Sequence, residues 1–261
     1  MRSKKLYIVL IAILIIFFLV MFLTIGAGNI LQENYKATLI VDNHTVWNYH
    51  NKKWNNIPMT FENIQSLNWK KYEIFQEHKK IGDYFLWHDD QWYAFDDERN
   101  PVELEDMFLA YEANYDLGVV DYLEDDVLDL NAVQSVLVER NISPDSTFTN
   151  ASHVAIDFDK DGVVEDFYLI TNAFSLDEVD SDIYFSFVFM LKNQNIYMIY
   201  DDVKQGNSYN MCKPFFHSFL DVNRDNTYEF LLSCGGYSLS EHRNWLYQYD
   251  EGTFKILVSN Q

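Results

Sequence analysis

The sequence predicts a mainly β protein with a minor helical part and an N-terminal transmembrane helix. Three observations support this fold class: an uninterrupted apolar run near the N-terminus, a series of short aromatic runs separated by polar turns, and an acidic loop motif that occurs twice between strand-like runs. Hydrophobic residues make up 48% of the 261 residues, which is too many for a disordered acidic chain. We therefore expect a packed core.

The first predicted element is a membrane-spanning helix over residues 6–27. Residues 6–23 read LYIVLIAILIIFFLVMFL, without a charged side chain. A helix of about 20 apolar residues spans the hydrocarbon core of a bilayer. Three basic side chains lie in residues 1–5, so the positive-inside rule places this tail in the cytoplasm. The small residues at 24–28 leave a cleaved signal peptide as the alternative.

The acidic balance of the chain limits its partners. The chain has 40 acidic and 19 basic side chains, and its formal net charge is -21. A field of this sign repels phosphate backbones, so we expect no nucleic-acid partner and we expect cations to bind. The apolar run and its basic N-terminal flank predict a single-pass protein of the cell membrane. Its C-terminal part would lie on the extracytoplasmic side.

Residues 36–150 form the next predicted region, which is aromatic-rich and contains both strands and a helix. Five of the six tryptophans lie in it. Aromatic runs on both sides of polar turns predict two β-hairpins, one with its tip within 49–54 and one within 84–95. Asn131 followed by AVQSVLVERN predicts an N-capped helix that stops at Asn141.

Residues 151–261 form the last predicted region, in which a unit of four strands occurs twice. In each copy an apolar run enters an acidic loop, a second apolar run leaves it, and a further hairpin follows. The acidic loops cover residues 157–165 and 221–229. We therefore expect two units of four strands each.

The first acidic loop has the residue pattern of a calcium site. Calcium takes roughly six to eight oxygen ligands, which a tight loop supplies from alternate positions. Gly162, at the sixth position, permits the sharp turn. An EF-hand is excluded, because the twelfth position is Tyr168 and neither flank is helical. The predicted ligands are the side chains of Asp157, Asp159, Asp161 and Glu165 and the carbonyl of Val163.

The second acidic loop repeats the pattern with one carboxylate fewer. Asn226 stands at the position of Gly162, and asparagine tolerates the left-handed conformation. We expect calcium to bind more weakly here. In both loops the alternative is a solvated acidic turn without an ion. The predicted ligands are Asp221, Asn223, Asp225, Thr227 and Glu229.

The pattern D-x-[DN]-x-D-[GN]-x-x-E between two strands resembles the calcium loop of FG-GAP and VCBS-type repeats. The resemblance covers roughly residues 151–260. It implies β-propeller-like blades with structural calcium, in proteins that often act in adhesion or surface binding. The chain departs from this pattern, because a closed propeller needs at least about four blades and only two loop-bearing units are visible. More loosely, the whole chain resembles uncharacterised membrane-anchored bacterial proteins.

Two cysteines flank the second acidic loop. If the strands around this loop form a hairpin, Cys234 lies opposite a position near Phe216, so the chain would have to bend at Pro214 to bring Cys212 close. The sequence is therefore compatible with a disulfide and also with two free buried thiols.

These features predict a membrane-anchored, calcium-stabilised β domain that binds a surface ligand or an envelope protein. The calcium would be structural, since all available side chains serve as ligands. The chain lacks an HExxH, a GxSxG and a P-loop motif, which favours binding over catalysis. One alternative is an envelope glycan hydrolase that uses Asp89, Asp90 or Asp96 near the tryptophans. The other is an architectural subunit of an envelope complex.

Overall fold

In a computed structural model, the described part of the chain forms three antiparallel β-sheets and two short helices. The structure describes residues 36–260, except for 44, 51–52, 77–78, 106, 113–123, 126–127, 174–182, 207–210, 223–224, 236–242 and 251.

The first sheet has eight strands and comes from the aromatic-rich region. Its strands are β1 (Lys36–Val41), β2 (Thr45–His50), β3 (Lys53–Asn56), β4 (Lys71–Gln76), β5 (Lys79–His88), β6 (Trp92–Phe95), β7 (Pro101–Val102) and β8 (Phe108–Glu112). Their spatial order is β3-β2-β1-β8-β4-β5-β6-β7. Both predicted hairpins are present, as β2–β3 and β5–β6.

The second and third sheets contain the two acidic loops. The second sheet consists of β9 (Glu124–Asp125), β10 (Asn150–Ile156), β11 (Glu165–Thr171), β12 (Ile183–Lys192) and β13 (Asn195–Gln205), in the order β13-β12-β11-β10-β9. The third sheet consists of β14 (Lys213–Leu220), β15 (Glu229–Gly235), β16 (Arg243–Asp250) and β17 (Thr253–Ser259), in chain order. Each predicted four-stranded unit is therefore an antiparallel meander.

The two helices are α1 (Phe61–Leu67) and α2 (Leu130–Glu139). Helix α2 begins earlier than predicted, because its N-cap is Asp129, whose carboxylate accepts hydrogen bonds from the N–H groups of Asn131 and Ala132. The predicted stop at Asn141 is present: this residue has a positive φ of 57°, and its N–H donates to the carbonyl of Val138.

The core is built in layers, with the third sheet in the middle. Side chains alternate along β15, so that Phe230 and Leu232 pack toward the second sheet and Leu231 packs toward the first. Helix α1 covers the outer face of the first sheet with Leu67, and helix α2 covers the outer face of the second sheet. Each large apolar side chain fully buried in this stack contributes roughly 1.5–3 kcal/mol.

The propeller-like arrangement predicted for the two units is wrong. The sheets stack as layers and do not close into a propeller. The physical reason lies in the third sheet, whose strands β14 and β15 are apolar on both faces. A sheet of this kind is stabilised when other sheets cover both of its faces, and the eight-stranded first sheet covers one of them.

The predicted class of single-pass membrane protein also requires correction. The described helices have 7 and 10 residues. Within the described part of the chain, neither is long and apolar enough to cross a bilayer. The predicted tail (1–5) and anchor (6–27) lie outside the described residues. The membrane anchor and the extracytoplasmic location therefore have no support in the described structure.

Candidate metal centre

The first acidic loop joins β10 to β11 in the second sheet. Ile156, the last residue of β10, pairs with Glu165, the first residue of β11, so the strand pairing closes the base of the loop. Within the loop, Lys160 and Gly162 have positive φ values of 54° and 88°. These two left-handed positions turn the chain sharply, as the glycine at the sixth position predicts.

Three carboxylates of this loop converge. Asp157, Asp159 and Glu165 each offer an oxygen, and the three oxygens lie within 4.8 Å of one another. The Oδ1 atoms of Asp157 and Asp159 are buried and have no hydrogen-bond partner. The other oxygen of Asp157 accepts a hydrogen bond of 3.1 Å from the N–H of Gly162. The loop therefore directs carboxylate oxygens inward and leaves two of them without a donor.

Backbone hydrogen bonds also hold Glu165 and a fourth carboxylate, that of Asp161, in place. Glu165 is fully buried, and its Oε2 accepts from the N–H of Phe158 at 2.8 Å. Asp161 accepts from the N–H of Val163 through Oδ1, also at 2.8 Å. The side chain of Val163 itself is exposed. Each of these carboxylates thus uses one oxygen to fix the loop and keeps the other for a cation.

Lys192, which was not among the predicted site residues, reaches into this group from the end of β12. Its ammonium nitrogen lies 2.6 Å from Asp159 Oδ2, 2.8 Å from Glu165 Oε1 and 3.1 Å from Asp161 Oδ2. The feature that could identify Lys192 is the pairing of β11 with β12. In this pairing Asp166 lies opposite the residue just before Lys192, so Lys192 lies beside the end of the loop. The local sequence does not show this pairing.

Burial and charge act in opposite directions on these groups. Burial raises the pKa of Glu165, although Lys192 and the N–H of Phe158 oppose the shift. Burial likewise opposes the charge on Lys192, but its hydrogen bonds to Asp159, Glu165 and Asp161 outweigh burial and raise its pKa. The hydrogen bond from the Val163 N–H, together with Lys192, lowers the pKa of Asp161. The loop therefore favours a cation among its carboxylates.

The second acidic loop, between β14 and β15, has the same local geometry. Glu229 is almost fully buried, and its Oε2 accepts from the N–H of Val222 at 2.9 Å. Asp225 Oδ1 accepts from the N–H of Thr227 at 2.8 Å. Asn226 has a positive φ of 70° and so replaces glycine at the turn as expected. These two hydrogen bonds match those from Phe158 and Val163 in the first loop, position by position.

The two loops differ in how their carboxylates are paired. Asp221 Oδ2 lies 2.7 Å from the ammonium nitrogen of Lys160, which belongs to the first loop and also lies 4.4 Å from the centre of the Tyr228 ring. Asp221 Oδ1 is buried and has no hydrogen-bond partner. The predicted ligand Asn223 lies outside the described residues. Among the residues that the structure describes, only the first loop brings three carboxylates within 4.8 Å.

Cys212 and Cys234 are joined by a disulfide. Their Cα atoms are 5.3 Å apart, and both residues are buried. Cys234 pairs with Pro214 instead of a position near Phe216, because the register of β14 and β15 shifts between Phe216 and Ser218. The disulfide therefore forms between residues that are not directly paired in the sheet, an outcome that the sequence left open.

The carboxylates expected of a glycan hydrolase lie on hairpin turns. Asp89 and Asp90 are exposed in the turn between β5 and β6, and Asp96 follows β6. A hydrogen bond from the Tyr93 hydroxyl lowers the pKa of Asp90, and hydrogen bonds from Asn100 lower that of Asp96. A general acid needs a raised pKa, so Asp90 and Asp96 do not have the property that the acid of this reaction requires.

The nearby tryptophans have two different environments. Trp47, Trp54 and Trp92 are buried in the core. Trp69 is 45% exposed, and the Arg99 guanidinium lies 4.3 Å from the centre of its ring. Most of the tryptophan-rich region is therefore core packing.

Comparison with protein-family models, with curated proteins and with solved structures found no match to this chain. The similarity of the acidic loops to FG-GAP and VCBS-type repeats accordingly stays a prediction, and the functional argument depends on the geometry of the site.

Proposed function

We propose that the protein is a calcium-binding β domain whose first acidic loop holds a structural ion. The observation that carries the proposal is the convergence of Asp157, Asp159 and Glu165, with two buried carboxylate oxygens that have no hydrogen-bond partner. Buried carboxylate oxygens that have neither a hydrogen bond nor a neighbouring positive charge destabilise a protein. A bound cation removes this destabilisation. A donor set made of oxygen atoms alone suits a hard cation such as calcium.

The residues of the first loop would hold the ion between β10 and β11. The carboxylates of Asp157, Asp159, Asp161 and Glu165 would bind it, together with the carbonyl of Val163. Three of these carboxylates are already anchored by backbone N–H groups, so binding requires little rearrangement of the loop. The ion would act as a structural link between the two strands. It would have no catalytic role.

The second loop is the weaker site in this proposal. It keeps two of the backbone hydrogen bonds of the first loop, and Asp221 has one buried oxygen without a partner. It has one carboxylate fewer than the first loop. The wider role of the domain as a module that binds a surface ligand or an envelope protein stays a prediction.

Thermal unfolding of the full chain tests the calcium site. We expect the melting temperature in calcium to exceed that in chelator by roughly 5–10 °C when calcium is at about 100 times its Kd, because a ligand that binds only the folded state stabilises it by about 2.7 kcal/mol at that ratio. Magnesium, which prefers rigid six-coordinate geometry, should give a smaller increase.

Two variants make the test specific to the loop. Asp157→Asn removes a carboxylate of the cluster and should abolish most of the increase. Asp145→Asn changes an exposed acidic residue outside the loop and should keep it. Equal melting temperatures of the unmodified protein in calcium and in chelator would rule out the structural ion.

A further inference from the structure

Lys192 lies at the point on which the carboxylates of the first loop converge. Its ammonium nitrogen contacts three of them at 2.6–3.1 Å, and only 12% of its side chain is exposed. An ammonium in this position does electrostatically what a metal ion would do, since it offsets the repulsion between neighbouring carboxylates.

A calcium ion and this ammonium cannot use the same oxygens at once. Calcium–oxygen distances are about 2.3–2.6 Å, so an ion bound to Asp159 and Glu165 would lie beside the Lys192 nitrogen at very short range. Two positive charges at that distance repel each other strongly, especially where the site is shielded from water. Calcium binding therefore requires the Lys192 side chain to leave the loop.

Lys192 neutralises only part of the negative charge of the first loop. Asp157, Asp159, Asp161 and Glu165 carry four negative charges when ionised, and Lys192 supplies one positive charge. Two buried oxygens, on Asp157 and Asp159, have no hydrogen-bond partner even though the ammonium is in place. A divalent cation with six to eight ligand positions would compensate more charge and would accept these oxygens as ligands.

The position of Lys192 in the fold permits its departure. It is the last residue of β12 and is followed directly by the turn at Asn193 and Gln194, both of which have positive φ values. Its charge is at the end of a flexible four-carbon stem and is readily hydrated. The ammonium can move into water by side-chain rotation, and the strand need not move.

We propose that Lys192 is a resident cation of the first loop, which occupies the site without calcium and must be displaced for calcium to bind. The inference depends on the calcium site proposed above. Lys192 keeps the carboxylates together in the metal-free protein, and it lowers the calcium affinity by the free energy needed to displace it. The second loop has a simpler form of the same arrangement, in which Lys160 contacts one carboxylate, that of Asp221.

Calorimetric titration of calcium into the full chain tests this competition. Lys192→Met removes the ammonium and keeps a side chain of similar length, and we expect it to bind calcium at least about tenfold more tightly than the unmodified protein. In chelator the same variant should melt at a lower temperature. Lys255→Met is the matched control, because it removes the same charge from an exposed pair with Asp250 and should leave the Kd unchanged.

A second measurement needs no variant. Brief acylation of the unmodified protein with acetic anhydride, followed by mass spectrometry, reports how accessible each lysine is. Calcium should increase the acylation of Lys192 several-fold and leave that of Lys255 unchanged.

The outcomes separate the two proposals. If neither the unmodified protein nor Lys192→Met binds calcium, the calcium site itself is wrong. If both bind with the same Kd and calcium leaves the acylation of Lys192 unchanged, the calcium site stands and the role of Lys192 as a competitor is overturned.

Discussion

The glutamate at the ninth position of each acidic loop is buried, but the two glutamates have different neighbours. Glu165 contacts Lys192, whereas Glu229 has no ammonium within ion-pair distance among the described residues. Burial, reinforced by the charges of Asp225 and Asp221, raises the pKa of Glu229 to about 8. One carboxyl of the second loop is therefore protonated at neutral pH in the metal-free protein.

This shift predicts a pH dependence of stability in chelator. The pKa of Glu229 is about 8 in the folded state, against a usual value of 4.5. Between these values the folded state holds a proton that the unfolded state has lost, so stability falls as the pH rises, by roughly 1 kcal/mol per pH unit. Above pH 8 both states are ionised and the loss is complete.

Urea unfolding of the unmodified protein and of Glu229→Gln, from pH 5 to 9 in chelator, measures this effect. The stability of the variant relative to the unmodified protein should increase with pH up to about 8 and then level off. Parallel pH profiles for the two proteins would show that Glu229 has an ordinary pKa.

At the scale of elements, local residues define where helix α2 begins and ends, and packing against the second sheet stabilises it. Asp129 caps its first turn, and Asn141 ends it in the left-handed conformation. Between these limits, Val133, Val136 and Leu137 recur at helical spacing and pack against Phe185 and other residues of the second sheet. A helix of 10 residues is marginal by itself, so its cap and its buried face are both needed.

We expect Asp129→Ala to lower the free energy of unfolding by about 1 kcal/mol, because two N–H groups of the first turn lose their acceptor. Asp129→Ser keeps a capping oxygen and should retain most of the stability. Urea unfolding monitored by circular dichroism gives both values. Equal losses for alanine and serine would mean that the cap does not stabilise the helix.

At the scale of the whole molecule, a buried polar network links the first sheet to the third. Asn244 is fully buried in β16, and its amide nitrogen donates to Asp42 at 2.8 Å and to Thr45 at 2.9 Å. These partners lie about 200 residues away in the chain. Its amide oxygen accepts from the hydroxyl of Ser233. Buried hydrogen bonds of this kind fix how the layers align, because a shift would leave polar groups without partners.

Replacement of this asparagine should destabilise both sheets together. We expect Asn244→Ala to cost about 3 kcal/mol, since the hydrogen bonds to the buried carboxylate of Asp42 and to the hydroxyl of Thr45 are lost, together with the one from Ser233. Asn195→Ala, at the exposed start of β13, is the control and should have little effect. Urea unfolding followed by tryptophan fluorescence and by circular dichroism should give one transition at the same lower midpoint. Two separate transitions would show that the sheets unfold independently.

The sequence alone predicted those features that depend on near neighbours in the chain. The hairpins β2–β3 and β5–β6, the stop of helix α2 at Asn141 and the left-handed turns at Gly162 and Asn226 all follow from residues within a few positions. The four strands of each repeated unit were also predicted, because consecutive antiparallel strands pair through short connections.

The tertiary structure decided how the elements combine. Both faces of the third sheet are apolar, so local sequence favoured no single partner, and only packing selected the layered stack over a propeller. The position of Lys192 in the acidic loop depends on strand pairing, which brings it to Asp159 across 33 positions of the chain. The Asn244 network joins residues still farther apart. Sequence patterns therefore determined the local chemistry of the candidate site. Long-range packing determined that the Lys192 ammonium lies among its carboxylates, because the free energy of this contact depends on residues that only folding brings together.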